Sequence, residues 1–115
     1  MLIHMAVTLH SHNEFEQFLR QQPAAAVYFS GPDCSVCTVL KPRVMELLLQ
    51  RFPSVATAEV DCAAAPELAA QLGVLTIPTL IVYFDGSELL RKVRNFSPAQ
   101  LADELARPYS LFFDA

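Results

Sequence analysis

The chain has 115 residues, 53% of them hydrophobic and 17% charged, with a formal net charge of −4 and a mean hydropathy of +0.33. That length and composition suit one domain with a real core and exclude a disordered chain. The acidic balance, without any Lys/Arg run, gives no reason to expect nucleic acid or an anionic membrane surface, and no apolar stretch is long enough to span a bilayer.

The first residues, Met1 to Val7, lack a basic region, a full apolar stretch and a small-residue cleavage site, so the expectation is a soluble, cytoplasmic protein. Leu2 to Leu9 reads as a short strand. Ser11-His12-Asn13-Glu14 has capping-box spacing, and Phe15, Phe18 and Leu19 then share one helical face as far as Gln22, before Pro23. Ala24 to Phe29 is apolar without alternation, as in a strand covered on both faces. Gly31-Pro32-Asp33 forms a turn, with Asp33 as the expected N-cap of a helix reaching about Phe52. Val36, Val39, Leu40, Val44, Leu47 and Leu48 form its expected inner face, and Lys41, Arg43, Glu46 and Gln50 its outer one. Pro42 removes one donor inside that helix and predicts a kink.

Val55 to Asp61 predicts another strand, and Pro66 to Leu72 a short helix with proline near its start. Thr79 to Phe84 is the strongest strand signal, followed by an Asp85-Gly86 hairpin turn and a returning strand over Glu88 to Arg94. Ser97-Pro98-Ala99-Gln100 opens a last helix that ends near Arg107. The expected organisation is one domain over residues 1–107 and an aromatic tail over 108–115. Tyr109, Phe112 and Phe113 in that tail either fold back on their own domain or dock a partner or second copy. The order β-α-β-α-β-α-β-β-α implies an α/β fold, a mixed central sheet of four to five strands flanked by four helices.

The chemistry concentrates in Cys34-Ser35-Val36-Cys37, at the junction of strand and long helix. A thiol at a helix start meets unpaired N–H groups and the positive end of the helix dipole, and both favour the thiolate that attacks disulfides. Cys37, one turn on, can close a small disulfide with it. A zinc half-site is the competing reading. Zinc needs four ligands, and the available Cys62, His4, His10 and His12 are unsuitably spaced, so no metal is expected. His10 and His12 read as solvated imidazoles. Cys62 reads as a half-buried small apolar residue, or as a regulatory thiol open to glutathionylation or an intermolecular bridge.

With these motifs in place, the chain resembles the thioredoxin family over nearly its whole length. The CxxC opens the second helix, Pro42 matches the family's helix proline five residues later, and Ile77-Pro78-Thr79 matches the loop whose proline is cis. The resemblance implies a thiol–disulfide oxidoreductase reducing proteins or small thiols, with Cys34 as nucleophile and Cys37 as resolving thiol. It implies a substrate groove formed by Asp33, Thr76, Ile77, Pro78 and Arg94, with Ile77 offering backbone hydrogen bonds to an extended peptide. It implies no cofactor beyond the redox-active pair, electrons from a thioredoxin reductase or a thiol pool, disulfide-containing proteins as partners, and a monomer or weak dimer.

Departures accompany these matches. Asp33 replaces a usual tryptophan, Ser35-Val36 a usual Gly-Pro, and Arg94 a usual glycine beside the groove, where it would clash with bulky protein substrates, or pair with Asp33 or a substrate carboxylate. Tyr28 occupies the place of a buried aspartate that takes the second cysteine's proton, and Thr57 that of its lysine neighbour. Tyrosine, with a reference pKa of about 10, is a poor base near neutrality, so slower product release is expected. These departures leave a second reading open, a thioredoxin-fold binding or redox-regulatory module with little turnover.

Overall fold

The computed structural model of the chain describes residues 6–114. Its elements run β1 (Val7–Thr8), α1 (His12–Gln21), β2 (Ala24–Ser30), α2 (Ser35–Arg51), β3 (Ala56–Asp61), α3 (Pro66–Gln71), β4 (Thr79–Phe84), β5 (Ser87–Val93) and α4 (Pro98–Phe113). The five strands form one sheet in the order β1-β3-β2-β4-β5. β3 is parallel to β1 and β2, whereas β4 is antiparallel to β2 and β5 to β4. The expected mixed sheet with four helices is what forms. Residues 2–5 of the expected first strand lie outside the described residues.

Strand geometry sends successive side chains to opposite faces, and on central β2 both faces are covered. Ala24, Ala26 and Tyr28 join a core with Leu40, Val44 and Leu48 of α2 and Leu101 and Leu105 of α4. Ala25, Val27 and Phe29 join a second core with Phe15 and Phe18 of α1 and Leu68 and Ala69 of α3. This double burial explains the unbroken apolar run of the strand. Ser11 caps α1 by accepting the Glu14 N–H, and Ser97 caps α4 by accepting that of Gln100. Among the described residues no helix is long and apolar enough to cross a membrane.

Three expectations need correction. The N-cap of α2 is Cys34, not Asp33; Asp33 adopts a left-handed φ of 56°, which turns the chain so that the next residue caps. Val36 and Val39 do not face the core: they are 39% and 62% exposed, while Cys37 and Met45 point inward with Leu40, Val44 and Leu48. α2 is apolar around most of its first turns, so apolar character alone could not pick the inner face. Finally, α4 does not stop at Arg107 but continues through Pro108 to Phe113. Proline costs the carbonyl four residues earlier its donor, but packing outweighs that loss. Tyr109 lies 5.1 Å from the Phe52 ring, Phe113 lies 6.2 Å from Phe84, and the Tyr109 hydroxyl accepts the Ser54 N–H at 3.0 Å. α2 likewise runs unbroken through Pro42.

Candidate active site

Ser30 ends β2, and the chain turns over Gly31, Pro32 and Asp33 into α2. A Cβ on Gly31 would stand 3.0 Å from Ile77 Cδ1, so glycine lets the loop before α2 and the loop before β4 approach closely. Cys34 then sits at the helix cap with its Sγ accepting the Cys37 N–H at 3.2 Å. Its carbonyl takes the Thr38 N–H at 3.2 Å and the Thr38 hydroxyl at 3.1 Å. A disulfide joins Cys34 to Cys37, their Cα atoms 5.3 Å apart. The two sulfurs have unequal access: Cys34 is half-buried, whereas Cys37 is only 3% exposed.

Tyr28, fully buried on β2, donates its hydroxyl to the Cys37 carbonyl at 3.0 Å. Burial pushes its pKa from 10.0 to about 12, so the phenol is a fixed donor and no base near neutrality. On β3 the buried Thr57, expected as the neighbour of Tyr28, is instead in register with Ala26. Glu59, in register with Tyr28, pairs with Lys41 of α2 at 2.6 Å. Where the resemblance marks the loss of a buried acid and its lysine, the chain holds a buried phenol and a more exposed ion pair one turn beyond Cys37.

Cys34 and Ile77 pack against the same core as Cys37. The Ile77–Pro78 peptide bond is cis, Pro78 is buried, and its carbonyl accepts the Arg94 N–H at 2.7 Å. The Thr79 hydroxyl donates to the Thr76 carbonyl at 2.7 Å, tightening the loop. Among the described residues the Ile77 N–H and C=O meet no hydrogen-bond partner. Arg94 has φ 62°, the conformation that explains why glycine is usual there. Among the described residues no ion pair joins it to Asp33, contrary to one expectation.

Cys62 stays apart from the dithiol. Its N–H binds the Ser30 carbonyl at 2.8 Å, but its half-buried side chain packs against the other core. Burial, and then the Asp61 carboxylate, raise its pKa. That leaves less thiolate than an exposed cysteine would carry. His10 and His12 are exposed beside Glu14 and Glu16, at 3.2 and 3.5 Å. Sequence reasoning missed Leu75, 90% exposed just before Thr76, and a pocket beside Ser35 and Val36 that Arg43 and Asn95 help to line. For Leu75 the signal was present, an apolar residue in a loop between two breaks in periodicity.

The Thioredoxin family model matches residues 6–107. The chain belongs to the thioredoxin family. It is 33% identical over 104 residues to "Thioredoxin-like protein YdfQ" of Bacillus subtilis, covering 90% of this chain and 92% of that one. It is 43% identical over 67 residues to a thioredoxin of Chlamydia muridarum, 58% of this chain and 65% of the relative. Among solved structures, oxidised thioredoxin O2 of Arabidopsis thaliana has a TM-score of 0.77 at 25% identity, covering 93% of this chain and 99% of that one. Oxidised mitochondrial thioredoxin 3 of Saccharomyces cerevisiae, with a TM-score of 0.80 at 22% identity over 89% and 94% of the two chains, shares the fold. With a disulfide-capable CxxC pair at the start of α2, this thioredoxin-family chain is in general terms a thiol–disulfide oxidoreductase.

Proposed function

We propose that the protein reduces disulfides of proteins or small thiols by cycling Cys34 and Cys37 between dithiol and disulfide. The unequal access of the two sulfurs carries this reading: the one that reaches solvent also sits at the helix cap on a backbone N–H, where thiolate is favoured. Cys34 thiolate attacks the substrate disulfide, forming a mixed disulfide and releasing one substrate thiolate. Cys37 then attacks the Cys34 sulfur, closing the internal disulfide and releasing the second thiolate. Two electrons pass from the pair to the substrate, whose thiolates take up the protons. A thioredoxin reductase or a thiol pool, in a cytoplasmic setting, restores the dithiol. Asp33, Thr76, Ile77, Pro78 and Arg94 border the groove, where the unpartnered Ile77 amide can add an extended substrate strand.

The test is reduction of a disulfide-bridged peptide with an electron donor, together with Cys37→Ser as a trap. Turnover by the parent and accumulation of a mixed disulfide on Cys34 are expected. Failure of both removes the proposal. The buried phenol at Tyr28, which offers no base to Cys37, favours the second reading of a binding or regulatory module. Partners held equally well by the Cys34→Ser, Cys37→Ser double variant would establish that reading instead.

A further inference from the structure

The reading just given leaves the substrate class open, and the α2 flank of the disulfide narrows it. Ser35 and Val36, the two residues between the cysteines, line a pocket of about 250 Å³ together with Val39, Leu40, Arg43 and Asn95. It is smaller than the roughly 300–1,000 Å³ clefts that enclose whole small ligands, so it suits a side chain rather than a cofactor. Its floor is apolar, and Val36 and Val39 on its rim are exposed, although burying them would favour any apolar occupant.

Charge sharpens the choice. The chain carries eight Lys and Arg residues against twelve Asp and Glu. Arg20, Lys41, Arg91 and Lys92 are held in ion pairs, and Arg51 lies over the Phe52 ring. Arg43, Arg94 and Arg107 make no ion pair with a described residue. Among the described residues Arg43 is the sole charged one lining the pocket, and Arg94 is the chain neighbour of Asn95, which also lines it. Arg94 also keeps its left-handed backbone tied to the Pro78 carbonyl, which fixes the base of its side chain beside the groove. An acidic protein therefore presents at this pocket one guanidinium group, that of Arg43, with no carboxylate paired to it among the described residues.

We propose that the pocket selects substrates, resting on the oxidoreductase reading above. The occupant is an extended, disulfide-bearing protein segment with an apolar side chain and a carboxylate within a few residues of its cysteine. The apolar side chain lies on Val36, Val39 and Leu40, and the carboxylate meets Arg43, with Arg94 adding to the local potential. Arg43 is a specificity residue, remote from the sulfur chemistry. Asp33, on the residue before Cys34, adds a repulsive element against carboxylates placed on the opposite flank and so helps set the substrate's orientation.

The experiment compares kcat/KM for three disulfides: a peptide with Leu and Glu in the few residues on one side of its cysteine, the same peptide with Lys for Glu, and hydroxyethyl disulfide. The acidic peptide is expected to exceed the basic one by about 10-fold at low salt, the ratio shrinking as salt screens the charges. Arg43→Gln lowers that ratio, Arg43→Glu inverts it, and Val39→Ser lowers kcat/KM on both peptides. A parent ratio near one, or a ratio that Arg43→Glu leaves unmoved, overturns the proposal. Turnover of hydroxyethyl disulfide separates the two levels. If the parent reduces it without discriminating the peptides, only the substrate selection fails. If it reduces none of the three, the oxidoreductase reading fails with it.

Discussion

Tyr28 shows how one substitution changes a site without disturbing its fold. A carboxylate in that buried position would need a charged partner or would sit protonated. A phenol needs only an acceptor, and the Cys37 carbonyl supplies it. Tyr28→Phe keeps the ring and removes one buried neutral hydrogen bond, so a loss of about 1 kcal/mol at neutral pH is expected in denaturant unfolding. The sign of the pH effect follows from the raised pKa. The folded state prefers the neutral phenol, so Tyr28's contribution is complete below its ordinary value of 10.0 and drains away as pH rises toward about 12. Tyr83, also raised by burial, loses stability in the same direction, so Tyr28→Phe should soften the alkaline decline without abolishing it. Arg94 poses the opposite case, a side chain kept at a backbone cost. A non-glycine residue at φ 62° pays roughly 1–2 kcal/mol, against about 0.5–1 kcal/mol of extra chain entropy for glycine. Arg94→Gly is therefore expected to stabilise by roughly 0.5–1 kcal/mol, and a destabilised variant would mean that the side chain contributes contacts of its own.

At the level of elements, legibility tracked the source of each signal. β2, β4 and the Asp85-Gly86 hairpin could be read directly, because continuous apolar runs and turn residues are local properties. The dithiol pair could be read because a cysteine at a helix start is defined by its neighbours. The N-cap passed from Asp33 to Cys34 because cap choice depends on a left-handed turn that side-chain preference does not encode. The inner face of α2 was ambiguous because Val36 and Val39 are apolar for reasons outside the core. The end of α4 was misplaced because Pro108 signals a break, whereas Phe52, Phe84 and Ser54, distant in sequence, supply the contacts that carry the helix onward. This last point is testable. Ending the chain after Arg107 strips Tyr109 and Phe113 from Phe52 and Phe84 and frees the Ser54 N–H, and a loss of roughly 2–4 kcal/mol is expected by denaturant unfolding. Unchanged stability with a changed mass in solution would mean that this segment serves a partner or a second copy instead.

The whole molecule is two cores divided by one sheet, and the division governs how the site tolerates change. The dithiol, Tyr28 and Ile77 belong to the α2 and α4 side; Cys62 belongs to the α1 and α3 side. Each core rests on alternate residues of the same two strands, β2 and β4. Neither side can unfold while the other keeps its sheet, which argues for a single cooperative transition. Side chains in different cores nonetheless share few neighbours, so their substitutions should act independently. Val44 of α2 and Val60 of β3 are both fully buried, one in each core. Val44→Ala and Val60→Ala each remove two methyl groups and leave a small cavity, costing roughly 1.5–3 kcal/mol apiece. The double variant should lose the sum to within about 0.5 kcal/mol, in one transition with an unchanged denaturant slope. Only Val44→Ala, which lies on the side of α2 that carries the cysteines, should also alter the rate of disulfide exchange. A clear departure from additivity, or an equal effect of Val60→Ala on exchange, would mean that the sheet transmits strain between its faces, and the site could no longer be treated as the property of one core.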